Sequence, residues 1–199
     1  MKKILLLILL CVIPGMSIAQ TFSYGIMLGL NTSATASKGS PTFTNNGNFI
    51  KSSFGAYGEY NFTEKWGVKT ELLFHNAFLK PTGIGSGQLK INMMELSPNV
   101  KFDFGDEYRK GAYLIFGPKI TLLNSIAYEG NDVDENFNKT LIGIQTGIGG
   151  RMLQYIDLQF KLNYDFTSFY ENPITNNNDF FLGANLHLGV DIERLLNKK

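Results

Sequence analysis

The sequence predicts an all-β fold, an eight-stranded antiparallel up-and-down transmembrane β-barrel. Three observations predict it. Apolar and polar residues alternate with a period of two in eight separate segments, the joins between them alternate between short and long, and the chain opens with the layout of an export signal. Successive side chains of a strand leave on opposite faces, so period two is strand spacing. An even strand count with short turns at one end and longer loops at the other is the arrangement of outer-membrane barrels.

The opening stretch is read first, because it sets the compartment. Lys2 and Lys3 precede an apolar run from Ile4 to Ile13, Pro14-Gly15 breaks it, and Ser17-Ile18-Ala19 offers small residues before Gln20. Charged, then apolar, then small is the order of a cleaved secretory signal. The run is too short to span a bilayer, which takes roughly 20 apolar residues. Residues 1–19 are therefore expected to be removed, leaving 20–199 as one barrel domain. Cys11, the chain's single cysteine, lies inside the apolar run, so the mature domain has no thiol chemistry.

The segments follow in order. The first sets Phe22, Tyr24, Ile26, Leu28 and Leu30 against Ser23, Gly25, Met27, Gly29 and Asn31. The second sets Phe54, Ala56, Tyr60 and Phe62 against Ser53, Tyr57, Glu59 and Asn61. The third sets Trp66, Val68, Leu72 and Phe74 against Lys69, Glu71, Leu73 and His75. The fourth sets Leu96, Pro98, Val100, Phe102 and Phe104 against Glu95, Ser97, Asn99, Lys101 and Asp103. The fifth sets Leu114, Phe116, Pro118, Ile120 and Leu122 against Tyr113, Gly117, Lys119 and Thr121. The sixth is glycine-rich, with Ile142, Ile144 and Ile148 opposing Gly143, Gln145, Gly147 and Gly149. The seventh, from Tyr155 to Phe169, is the cleanest. It sets Leu158, Phe160, Leu162, Tyr164 and Phe166 against Asp157, Gln159, Lys161, Asn163 and Asp165. The eighth sets Leu182, Leu186, Leu188 and Val190 against Gly183, Asn185, His187 and Asp191. Pro98 and Pro118 lack an N–H and are expected at bulges.

The joins at 63–65, 105–110 and 150–154 are short. Those at 32–52, 80–88, 128–139 and 170–179 are longer and rich in Asn, Gly, Ser, Thr and Asp. Aromatic residues gather near the segment ends. Phe62, Trp66, Phe104, Tyr108 and Tyr155 lie near the turns, and Tyr128, Phe137, Phe169, Tyr170, Phe180 and Phe181 near the loops. Two interfacial girdles are expected from this placement.

Alternation does not say which face is inside, but volume does. An eight-stranded barrel has an interior just wide enough for side chains. Stacked Phe, Tyr, Leu and Ile would overfill it, whereas the other parity mixes glycine and serine with charges of both signs. The apolar parity is therefore assigned to lipid. The inward charges are expected to pair as a structural lumen network: Glu59, Lys69, Glu71, Glu95, Lys101, Asp103, Lys119, Asp157, Lys161, Asp165 and His187.

Three runs carry a resemblance: Glu95-Leu96-Ser97-Pro98-Asn99-Val100-Lys101-Phe102, Ala112-Tyr113-Leu114-Ile115-Phe116-Gly117-Pro118 and Gly25-Ile26-Met27-Leu28-Gly29-Leu30-Asn31. They are similar to strands of the PorT-like outer-membrane β-barrel proteins of Bacteroidetes, departing at Ser97 and Asn99, where that family often has apolar residues. The resemblance spans essentially the whole mature chain. It implies an eight-stranded outer-membrane barrel. The family's founding member serves protein secretion and gliding, a role that the shared motifs do not transfer.

Site chemistry is sparse. His75 with Glu71 four residues earlier is the best acid–base pair, yet no motif brings a serine to it, and no G-x-S-x-G pattern occurs. No catalytic, cofactor or metal site is expected. Asn131, Asp132, Asp134, Glu135 and Asn136 form an acidic loop without EF-hand spacing. Gly83-Ile84-Gly85-Ser86-Gly87 follows no helix-starting signal, so it is no phosphate loop. With 18 basic and 17 acidic residues and no basic stripe, nucleic acid is not an expected partner. The expected function is a non-enzymatic, monomeric anchor or interaction module in the outer membrane, with both termini periplasmic. Its partners are expected to be lipid and envelope or secretion proteins. A narrow porin-like channel is the alternative, and a lipid-modifying enzyme the third reading.

Overall fold

A computed structural model describes residues 22–37, 42–45, 50–82, 87–105, 110–133, 135, 137–152, 155–171 and 178–196. The export signal, Gly83–Ser86, Tyr108, Asp134, Asn136, Lys198 and Lys199 lie outside the described residues. In chain order the strands are β1 (Phe22–Ser37), β2 (Phe43–Asn45), β3 (Ile50–Asn61), β4 (Trp66–Pro81), β5 (Leu89–Asp103) and β6 (Gly111–Tyr128). They continue with β7 (Asn131–Asp132), β8 (Thr140–Met152), β9 (Ile156–Asp165), β10 (Tyr170–Glu171) and β11 (Asn178–Asp191). A helical turn, α1 (Ile192–Leu196), follows.

Eight long strands form the barrel, in the order β1-β3-β4-β5-β6-β8-β9-β11, and β1 closes it by pairing with β11. Every pairing is antiparallel, and the closing seam runs from Gly25↔Asp191 to Ser37↔Asp179. Closure leaves the wall without an open sheet edge, the condition for crossing lipid with strands. The short strands belong to the loops: β2 pairs with the end of β4, β7 with β6, and β10 with β11. Phe22 and Asp191 lie at the turn end, since Phe22 pairs with Tyr60 next to the 62–65 turn.

The parity assignment decides the walls. On β9, Leu158, Phe160, Leu162 and Tyr164 are exposed, as is Phe166 just past its end, while Asp157, Gln159, Lys161, Asn163 and Asp165 are buried. The same split runs along β1, β3, β4, β5, β6, β8 and β11.

Three details differ from the sequence reading. The strands are longer: β1 continues to Ser37, β4 to Pro81, and β8 to Met152. A membrane crossing takes about 9–11 residues per strand, so the 15 residues of β5 and the 16 of β4 extend beyond it. Second, the prolines are not at bulges. Pairing between β5 and β6 stops after Leu96↔Ile120 and resumes in the same phase at Val100↔Phe116, so Pro98 and Pro118 face each other. On their other flanks Pro98 pairs with Thr70 and Pro118 with Ile144. Two missing N–H donors thereby interrupt one stretch of a single ladder. The bulge lies nearer the loops, where Asn92 pairs with Ser125 and Met93 with Leu123, leaving Asn124 as the extra residue.

Third, the polarity of the wall inverts near the loop end. On β5, Leu96, Val100 and Phe102 face out and Glu95, Lys101 and Asp103 face in. Higher up, Lys90 and Asn92 face out and Leu89, Ile91 and Met93 face in. The barrel is thus built for lipid below this level and for water above it.

Candidate functional site

The interior has two storeys. The lower one is the charge network. Lys69 Nζ on β4 lies 2.5 Å from Asp157 Oδ2 on β9, and Lys161 Nζ on β9 lies 2.5 Å from Glu71 Oε2 on β4. Arg151 on β8 pairs with Glu59 on β3. Each of these three bridges joins strands on opposite walls, so each crosses the barrel axis. Lys101 Nζ lies 2.8 Å from Glu59 and 2.6 Å from Asp103, and Lys119 Nζ lies 2.8 Å from Asp165 and 3.9 Å from Glu95. Neutral groups complete the mesh. Tyr113 donates to Asp157 at 2.7 Å, Gln159 Nε2 to Glu71 at 2.9 Å, and Gln145 Nε2 to Asn99 at 2.8 Å. All eleven residues singled out from the sequence are buried in this interior.

Arg151, Tyr113 and Gln159 are central to the mesh but were not singled out. Arg151 falls in the 150–154 join of the sequence reading, whereas β8 runs on to Met152 and carries it inward. Gly149 serves packing. A Cβ on Gly149 would stand 2.2 Å from the Tyr113 ring, so the missing side chain makes room for the phenol.

The acid–base pair expected at His75 and Glu71 is corrected. Four residues along a strand span roughly 13 Å, too far for side chains to meet. His75 Nε2 instead lies 3.9 Å from Glu95 Oε2 on the neighbouring strand. A different pair forms: Ser53 Oγ lies 2.9 Å from His187 Nε2, joining β3 to β11 across β1. Sequence offered only shared parity as a signal for it. A nucleophile needs an orienting group on the far ring nitrogen and access to substrate. Among the described residues no carboxylate bonds His187 Nδ1, and Ser53 and His187 are 2% and 1% exposed. The pair is a buried hydrogen bond without access for a substrate. No group of three potential metal ligands occurs among the described residues.

The upper storey is apolar. Phe43, Ala77, Leu79, Leu89, Ile91, Met93, Leu123, Ile126, Leu141, Phe169 and Phe181 form one buried cluster at the loop end. Phe169 and Phe181 stack at 4.3 Å. These two rings therefore do not join a lipid girdle, as the sequence suggested; they plug the barrel mouth. The turn-end rings Phe62, Trp66 and Phe104 do face outward. The loops are lashed over the plug. Asn138 N donates to Phe169 O, Val133 N to Ile126 O, and Thr35 Oγ1 to Phe43 O.

A family model for the outer membrane protein beta-barrel domain matches residues 4–191. The chain belongs to this family, and it is an outer-membrane β-barrel protein. Two solved structures agree on the fold. Neisserial surface protein A matches at 16% identity over 86% of this chain and 99% of that one, with a TM-score of 0.50. OprG from Pseudomonas aeruginosa matches at 12% identity over 86% and 92%, with a TM-score of 0.50. Ail of Yersinia pestis, solved with the heparin analogue sucrose octasulfate, matches at 11% identity over 83% and 98%, with a TM-score of 0.46. Comparison with proteins of curated function finds no match.

Proposed function

We propose that this outer-membrane barrel is a non-enzymatic anchor that presents its loop end to envelope or secretion proteins. The observation that carries the reading is the doubly filled interior, where axial ion pairs stand below an apolar plug. Eight-stranded barrels leave little or no lumen, and water-filled porins use about 16–18 strands. Among the described residues the interior is filled and Ser53 is buried, which favours the rims as the surfaces for function.

In this reading residues 1–19 direct export and are cleaved, and 20–199 fold as a monomer in the outer membrane. Both chain ends of the barrel then face the periplasm and the loops face outward. The strand motifs quoted above resemble those of the PorT-like barrels of Bacteroidetes; a role accessory to secretion or envelope assembly is part of this proposal, and the founding member's own role in secretion and gliding is not carried over.

Planar-bilayer recording of purified protein tests the reading. Current is expected to stay at background. Steady conductance that disappears when Lys119 is replaced by Trp would establish the narrow channel instead. Release of fatty acid from lipid that is lost in Ser53→Ala would establish the enzyme.

A further inference from the structure

Above the apolar plug the loops leave a cleft of 310 Å³. Its walls are Phe43, Leu89, Tyr128, Val133, Phe137 and Tyr170, with Thr42 and Thr82 at the edge. We propose that this cleft is a binding site for a small neutral molecule with one aromatic ring.

Four features select that occupant. The volume is at the lower limit of small-molecule sites, so it suits one ring. Phe43 meets Tyr170 edge-on at 5.1 Å, and Phe137 lies 5.2 Å from Tyr170. Ring edges and faces are thereby presented together, the surroundings that a further aromatic ring packs into best. Among the described residues no charged side chain lines the cleft, so an ion would be desolvated there without a partner from them. An anion is further disfavoured by Glu135 and Glu171, which line an adjoining hollow that shares Phe137. Position excludes lipid tails as occupants. The wall strand beside the cleft carries outward Lys90 and Asn92 at this height, so it has already left the membrane. The floor is the plug, so the cleft is a dead end that binds without conducting.

The test uses the folded barrel in lipid nanodiscs, with 4-methylphenol as probe and NMR as readout. Saturable shifts are expected at Val133, Tyr128 and Tyr170, with 4-methylbenzoate binding at least ten-fold more weakly. Val133→Trp fills the cleft from a partly buried position and should weaken binding at least ten-fold. Thr82→Trp fills it from the exposed edge and should do the same if Val133→Trp does not fold. Shifts confined to lipid-facing Phe160 and Leu162 would mean partition into the bilayer and overturn the proposal. Unchanged binding in both filled variants would overturn it too, as would equal binding of the benzoate.

Discussion

Lys69 and Asp157 meet at 2.5 Å across the barrel axis, although 88 residues separate them in the chain. Both are fully enclosed, and the lysine also touches Tyr113 at 2.9 Å and Gln159 at 3.1 Å. Their contact ties the third wall strand to the seventh, a span that no backbone ladder covers. Removing one partner of such a pair leaves a buried charge stranded, whereas removing both can be nearly neutral. We expect Lys69→Met to destabilise the barrel by about 3–5 kcal/mol. The double variant Lys69→Met with Asp157→Leu should cost clearly less than the single one. Urea unfolding in lipid vesicles measures both, and additive costs would show that the pair is not coupled.

The lipid assignment makes an independent claim about Leu162. It is 49% exposed on β9, flanked on the same face by Phe160 and Tyr164. A cation near the bilayer midplane costs about 2–4 kcal/mol, falling toward zero at the interfaces. Leu162→Arg should show that loss. Lys80→Leu, on the outward face of β4 near its loop end, should change stability by less than about 0.5 kcal/mol. Stabilisation by Lys80→Leu of about 2–4 kcal/mol would put Lys80 in lipid and refute the membrane boundary drawn from the inverted polarity.

Gly149 offers a test of packing inside the network. A methyl group there would collide with the Tyr113 phenol, which bonds both Lys69 and Asp157. Overpacking of this kind costs about 1–3 kcal/mol. Gly149→Ala should fall in that range, and combining it with Tyr113→Phe should not recover stability, because the ring itself is the obstacle. Gly150 has open space where its Cβ would stand, so Gly150→Ala is the control and should be nearly silent. Thermal shift of the gel-mobility transition reads all three.

How much of this was legible in the sequence depends on what kind of information each feature needs. Strand identity and facing are local, and the unbroken alternation from Ile156 to Asp165 is enough to assign them. Which charges share the interior follows from the same parity. The Glu71–His75 pair fails on a local ground, since the rise of one strand alone sets them roughly 13 Å apart. Height along the barrel is different, because it depends on the register between strands and on loop length. That is why Arg151 falls in a join of the sequence reading. The apolar plug was hidden for the same reason. Leu89, Ile91 and Met93 continue the alternation of β5 with its sense reversed, and a reversed sense has meaning only once the membrane boundary is placed. The Asn124 bulge was hidden because nothing in Leu122-Leu123-Asn124-Ser125 departs from strand chemistry.

Phe169 decides how the two storeys of the interior depend on each other. Its ring is fully buried, stacks on Phe181 at 4.3 Å and lies 5.9 Å from Phe43, so it joins the fourth loop to the first. Truncating a buried Phe costs about 3–5 kcal/mol when the site cannot collapse. Here the loss should fall on the loop end alone, because the ion pairs below make no contact with this ring. We expect Phe169→Ala to accelerate protease cleavage within the loops while the wall strands stay protected and bilayer current stays at background. Current that opens in Phe169→Ala would show that the apolar plug, rather than the charge network, is what seals the barrel.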